Sequence, residues 1–161
     1  MRRALKALGF TDAEETAIGA AAVKTEYERM IDSGAHDVLI SSCCHSVNLL
    51  IQKHYPGALA YLANVATPMY AHCEDIKNRF PNAKTVFIGP CTAKKGEAQL
   101  DEVKPYIDAV LTFEELQALY DSRDIDITAL PEDVLDNASY FGRIFARSGG
   151  LSDAVAEGLR E

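Results

Sequence analysis

Three short runs of apolar, largely β-branched residues punctuate the chain: Asp37-Val38-Leu39-Ile40-Ser41, Lys84-Thr85-Val86-Phe87-Ile88-Gly89 and Ile107-Asp108-Ala109-Val110-Leu111. Runs this short suit strands buried in a parallel sheet. Between them, apolar residues recur at helical spacing. Ala22 to Asp32 places Val23, Tyr27, Met30 and Ile31 on one stripe, and Pro68 to Phe80 places Tyr70, Cys73, Ile76, Lys77 and Phe80 on another, with Pro68 in the first turn. Phe113 to Tyr120 follows Thr112, with Glu115 three residues on, the pattern of a capping box. Arg2, Arg3 and Lys6 alternating with Ala4 and Leu5 read as a helix start, and Leu151 to Leu159 as a short final helix after Gly149-Gly150. A further strand near Phe10 to Thr16 would bring the sheet to about four strands, although that stretch is acidic. Asp121 to Tyr140 is polar and reads as a loop with partial helix, a solvated connection first and a lid or lobe junction second. Strands alternating with helices predict an α/β fold: one lobe over residues 1–161 with a mainly parallel, about four-stranded, right-handed sheet flanked by helices.

A length of 161 residues is enough for one domain with its own core. The net charge of −8, with Lys94-Lys95 among the longest basic runs, argues against nucleic acid or an anionic membrane surface as partner, because nothing basic is available to neutralise phosphates. The apolar runs fall far short of the ~20 residues of a membrane span, and the first residues lack the apolar core of a secretory signal. A cytoplasmic location is therefore expected, where Cys43, Cys44, Cys73 and Cys91 would be free, metal-bound or catalytic rather than disulfide-bonded.

In an open parallel sheet, ligands gather beyond the carboxyl ends of the strands. Two of the expected strands end in cysteine: one runs into Ser41-Ser42-Cys43-Cys44-His45, the other into Gly89-Pro90-Cys91-Thr92-Ala93-Lys94-Lys95. A single strand-end cysteine is ordinarily packing. A vicinal pair together with Cys-x-x-Lys-Lys at the next strand end points instead to a shared thiolate site, where loop N–H groups also face a ligand. Cys73 lies mid-helix on an apolar stripe and reads as core. His36, His54 and His72 have no zinc-site spacing, and Glu14-Glu15 and Glu114-Glu115 suit solvated faces or helix starts.

Ser41-Ser42-Cys43-Cys44 resembles the first signature loop of the [FeFe] (iron-only) hydrogenases, Thr-Ser-Cys-Cys-Pro in its commonest form. Gly89-Pro90-Cys91-Thr92-Ala93-Lys94-Lys95-Gly96-Glu97 resembles the second, Met-Pro-Cys-x-x-Lys-x-x-Glu. His54-Tyr55-Pro56, Thr67-Pro68 and Arg147-Ser148-Gly149-Gly150-Leu151 resemble further elements of that family's C-terminal cluster domain. The resemblance implies one half of a two-lobed domain, in which Cys44 and Cys91 bind iron of a [4Fe–4S] cubane. It also implies that Cys43 passes protons to the bridging amine of an adjoining di-iron unit (the two making the H-cluster). Lys94 would donate to a cyanide there, and Glu97 would hold Lys94, although Glu97 alone would equally suit a capping or surface carboxylate. The parent protein would interconvert hydrogen with protons and electrons, exchanging electrons with a ferredoxin-type partner.

Departures accompany the resemblance. The family carries two further cluster cysteines beyond the second loop, whereas no cysteine follows Cys91. The chain is accordingly expected to be part of a longer protein, to need the remainder of the hydrogenase domain as partner, and to be inactive and without its cofactor alone, since clusters normally need about four protein ligands. His45 stands in place of Pro, where a hydrogen bond within the loop is the favoured role and proton transfer the alternative, and Gly89 stands in place of a cluster-contacting Met. In the family's proton relay, Glu26 matches the outer Glu, but Val23 and Ala63 occupy the inner Glu and Ser positions, and neither can carry a proton. These changes resemble the divergent, sensory branch of the family and predict slow turnover or another proton route. The alternatives are a hydrogen- or redox-sensing regulatory protein and an iron–sulfur assembly scaffold. A thiol-redox module is disfavoured because adjacent cysteines are awkward to bridge.

Overall fold

Val86–Ile88 (β1) and Ala109–Leu111 (β2) pair in parallel in a computed structural model that describes residues 1–160, with Val86 beside Ala109, Phe87 beside Val110 and Ile88 beside Leu111. These are the expected runs, shortened to their apolar centres. The helices are α1 (Arg2–Ala7), α2 (Ala17–Asp32), α3 (His45–His54), α4 (Pro68–Arg79), α5 (Ala93–Glu97), α6 (Phe113–Asp121), α7 (Tyr140–Ile144) and α8 (Gly150–Gly158), with a 3₁₀ turn at Pro56–Tyr61. No helix among the described residues is long and apolar enough to cross a membrane.

The chain divides into two compact units. The first comprises Met1–Glu15 and Lys84–Asn137, and holds α1, the two strands, α5 and α6. Its core gathers Ala4, Leu5, Leu116 and Tyr120, with Leu8, Phe10, Ile88 and Ile125 packed around them. Helix α6 starts as its sequence dictates: the Thr112 hydroxyl accepts from the Glu115 N–H at 3.3 Å, and the Glu115 carboxylate accepts from the Thr112 N–H at 2.8 Å.

The second unit comprises Thr16–Ala83 and the chain from Ala138 onward, with α2 packed on α4, α7 and α8. Glycine permits these crossings. A Cβ on Gly19 would lie 2.2 Å from the Pro68 carbonyl oxygen, and one on Gly142 would lie 2.0 Å from that of Ala17. Val23, Tyr27, Ala63 and Val155 form its core, with Met30, Leu39, Val65 and Leu151 around them. Pro68 occupies the first turn of α4, and the Thr67 hydroxyl caps it by accepting from the Tyr70 N–H at 3.2 Å.

The architecture is mixed helix and strand with a small parallel sheet flanked by helices, but the sheet has two strands among the described residues, not about four. The run at 37–41 makes one parallel bridge, Ile40 to Leu62, through Ile40 N–H to the Tyr61 carbonyl (2.7 Å) and Ala63 N–H to the Ile40 carbonyl (2.8 Å). Val38 is 56% exposed and Leu39 alone of the run packs against the core of the second unit, so too little of it is buried to sustain a ladder. Residues 10–16 do not pair as a strand. Asp12 is occupied by Arg2 at 2.7 Å and the Glu15 amide by Asn137, interactions that tie a loop rather than a ladder. Residues 122–139 carry turns without helix or strand.

Candidate functional site

The two cysteine loops belong to different units, and each is built by its own surroundings. In the second unit, Cys44 is the residue before α3, in extended backbone (φ −112°, ψ 110°), and its thiol is exposed; Cys43 is half-buried. Tyr27, 4% exposed in the core stripe of α2, turns its hydroxyl to the loop. That oxygen accepts from the Ser42 N–H at 2.8 Å and lies 3.2 Å from Ser42 Oγ and 3.4 Å from Ser41 Oγ. Ser42 Oγ donates to the Val65 carbonyl at 3.0 Å, and Asn48 Nδ2 of α3 donates to the Ser42 carbonyl at 2.9 Å. Ser41 Oγ donates to Cys43 Sγ at 3.1 Å. His45, the first residue of α3, is buried.

In the first unit, β1 runs through Gly89, whose N–H donates to the Leu111 carbonyl at 3.0 Å, into the exposed thiol of Cys91 and then into α5. At the second residue of α5, Lys94 Nζ lies 2.7 Å from Glu97 Oε2, about one turn further on. Glu97 is 1% exposed, so it is not a surface carboxylate, and a carboxylate that deep needs a cation or several donors. Gly89 is covered by its neighbour on the strand: a Cβ there would lie 2.7 Å from Phe87 Cε1. Lys95 pairs with Glu115, whose carboxyl is held below the usual carboxylate range by the hydrogen bond from Lys95 and then by the Thr112 amide.

The structure thus brings Cys43 and Cys44 together in one loop, and Cys91, Lys94 and Glu97 together in the other. Cys73 is buried in α4 as core. Val23 and Ala63 sit in one apolar cluster with Tyr27, while Glu26 faces out and pairs with Arg29, whose hydrogen bond lowers the Glu26 carboxyl. The sequence alone assigns no role at the site to Tyr27, Ser41, Asn48 or Phe87. Tyr27 falls on the apolar stripe of its helix, and only tertiary structure shows where its hydroxyl ends. Among the described residues, no three His, Cys, Asp or Glu side chains converge in a metal-holding group. What the loops offer is the exposed thiols of Cys44 and Cys91, donors of the soft kind that iron–sulfur clusters take.

The whole chain, residues 1–161, matches the family described as iron only hydrogenase large subunit, C-terminal domain. Iron hydrogenase 1 of Clostridium pasteurianum is 27% identical over a 178-residue alignment that covers 98% of this chain and 31% of the relative. The cytosolic Fe-S cluster assembly factor NAR1 of Eremothecium gossypii is 30% identical over 94 residues, covering 58% of this chain and 21% of that protein. Among solved structures, the [FeFe]-hydrogenase HydA(deltaEFG) superposes with a TM-score of 0.70 at 26% identity, covering 84% of this chain and 38% of that one. A variant of HydA1 from Chlamydomonas reinhardtii gives the same TM-score of 0.70, identity of 26% and shares of 84% and 38%. The chain spans about a third of the length of these hydrogenases. With both cysteine loops inside the matched span, this chain belongs to the family of C-terminal domains of iron-only hydrogenase large subunits.

Proposed function

We propose that this chain provides part of the seat of an H-cluster in a protein that interconverts hydrogen with two protons and two electrons. The thiolates of Cys44 and Cys91 are its iron ligands, Cys43 is the thiol that gives and takes protons, and Lys94 is the cation that donates to an anionic ligand of the di-iron unit. The residues fit this group in kind: two exposed thiols serve as soft donors, and an ammonium three residues after one of them is held by a buried carboxylate. They fall short in number, since a cubane normally takes about four protein ligands and the chain has no cysteine after Cys91. The remaining ligands come from the rest of the hydrogenase domain, and electrons pass to and from a ferredoxin-type protein. When bound, the cluster supplies the redox chemistry and the acid–base centre at which hydrogen is split.

The observation that carries this reading is the Lys94–Glu97 pair. A buried carboxylate fixes the ammonium three residues from an exposed thiol, an arrangement that a bare cubane does not need. Anaerobic reconstitution with iron and sulfide tests it. The chain alone is expected to hold well under the four irons of a cubane. Joined to the remainder of the domain, it is expected to hold a full complement that Cys44→Ser and Cys91→Ser each reduce. Four irons bound by the isolated chain, or iron content indifferent to both substitutions, would refute the ligand assignment.

A second reading, an iron–sulfur assembly role, has the resemblance to NAR1 in its favour. The two part over Cys43 and Lys94: with Glu97→Gln added to spare the fold, a scaffold still holds its cluster when Cys43 and Lys94 are replaced, whereas hydrogen turnover by the completed domain stops.

A further inference from the structure

The hydroxyl network under the first cysteine loop has a direction. Each serine hydroxyl has one hydrogen, and both are committed: that of Ser42 to the Val65 carbonyl and that of Ser41 to the sulfur of Cys43. The Tyr27 hydroxyl already accepts from the Ser42 N–H, so its own hydrogen faces the two serine oxygens, at 3.2 and 3.4 Å. Ser41 Oγ also receives the Cys43 N–H at 3.4 Å. With its accepting side supplied by Tyr27 and the Cys43 amide, that hydroxyl is left to point at the sulfur.

The thiol of Cys43 is therefore an acceptor toward the protein. No described group accepts from its S–H, which is left to point away from the Ser41 side. We infer that Tyr27 and Ser41 are positioning residues for Cys43: they fix its sulfur as an acceptor and turn its S–H outward, in the orientation from which it can donate a proton. Val23 and Ala63, which share the Tyr27 core cluster, are apolar and cannot take this role. The inference rests on the proton-donor role proposed for Cys43, but the orientation is a property of the metal-free chain and is measured there.

The experiment is infrared spectroscopy of the S–H stretch in the full metal-free chain, with the Cys43 band isolated by subtracting the spectrum of Cys43→Ala. A single fixed thiol gives one narrow band, and a thiol free among staggered rotamers gives a broad one. Ser41→Ala is expected to broaden the band and Ser41→Thr to restore it, because threonine keeps the hydroxyl. Tyr27→Phe is expected to broaden it while the melting transition stays cooperative, and to speed amide exchange at Ser42 by about tenfold as that buried N–H loses its acceptor. A band equally narrow in Ser41→Ala and Tyr27→Phe overturns the inference. Broadening in Ser41→Ala alone, with Tyr27→Phe only lowering the melting temperature, removes Tyr27 from it and makes that residue structural. Failure of the iron ligation proposed above leaves these bands readable, so the two ideas fail separately.

Discussion

The two cysteine loops are held by different forces. The loop at 41–44 hangs from neutral groups: a tyrosine hydroxyl, two serines, an asparagine amide and the single bridge at Ile40. The loop at 89–97 is held by charge, through the Lys94–Glu97 pair and through Lys95 on Glu115, with the Phe87 ring closed over Gly89. Neutral hydrogen bonds fix direction and are indifferent to pH. A buried ion pair fixes a charge, and becomes costly once either partner is lost. The proton-donor role proposed for Cys43 suits the first construction, and the anion-meeting role proposed for Lys94 suits the second.

The largest expected effect comes from breaking the charged loop. Lys94→Met removes the ammonium from the buried Glu97 carboxylate and is expected to destabilise the chain by about 3 kcal/mol in urea unfolding. Lys94→Met/Glu97→Gln, which removes the carboxylate charge as well, is expected to recover part of that loss. A single variant as stable as the parent would mean that the Lys94 contact contributes little to holding Glu97. In the neutral loop, Tyr27→Phe is expected to cost about 2 kcal/mol by orphaning the Ser42 N–H, with no change in that cost between neutral and mildly acidic pH.

Gly89→Met sharpens the contrast in packing. The new side chain must displace the Phe87 ring, at about 1–2 kcal/mol, and Phe87→Leu in the same chain is expected to relieve much of it. A crystal structure of the double variant with Met filling the space of the ring would show why glycine stands in this loop.

Tyr120 gives a smaller effect of opposite sign. Its hydroxyl is buried with no hydrogen-bond partner among the described residues, and burial raises its phenol above the ordinary value. The folded state therefore holds that proton more tightly than the unfolded one. The resulting stability is complete below the ordinary phenol pKa and is lost as pH rises through the raised one. Tyr120→Phe is expected to stabilise the chain by about 1 kcal/mol and to remove this alkaline loss; a destabilised variant would reveal a partner for the hydroxyl.

Acid separates the two units by the least. Asp12, Glu114, Glu115 and Asp126 of the first unit have carboxyls lowered chiefly by the Arg2 side chain, the Glu114 amide, Lys95 and the Thr128 hydroxyl respectively; among the described residues of the second, Glu26 is lowered by Arg29. Depressed carboxyls contribute stability that is present above their unfolded values and lost as pH falls through the folded ones, below about 4. Residue-resolved hydrogen exchange is expected to show the first unit loosening sooner on acidification. Loosening of the second unit first would reverse the assignment of charge to one loop and neutral bonds to the other.

Local chemistry was legible in the chain by itself. Thr112 with Glu115, Pro68 behind Thr67, and the apolar centres of β1 and β2 follow from interactions only a few residues long, so the same rules that predict them also form them. The family was legible for a related reason: Cys43-Cys44 and Cys91-x-x-Lys94 are contiguous motifs whose chemistry is written in spacing. Helix α3 was not. Val47, Leu49 and Leu50 are exposed and only His45 and Ile51 are buried, so its apolar residues trace no one-sided stripe. The run at 37–41 has the composition of a strand, yet strands exist only where a neighbour offers a ladder, and Leu62 offers a single bridge. The burial of Glu97 and the direction of the Tyr27 hydroxyl belong to the same class. Both depend on which groups the folded chain brings within about 3 Å, and neither helical periodicity nor residue type encodes that distance.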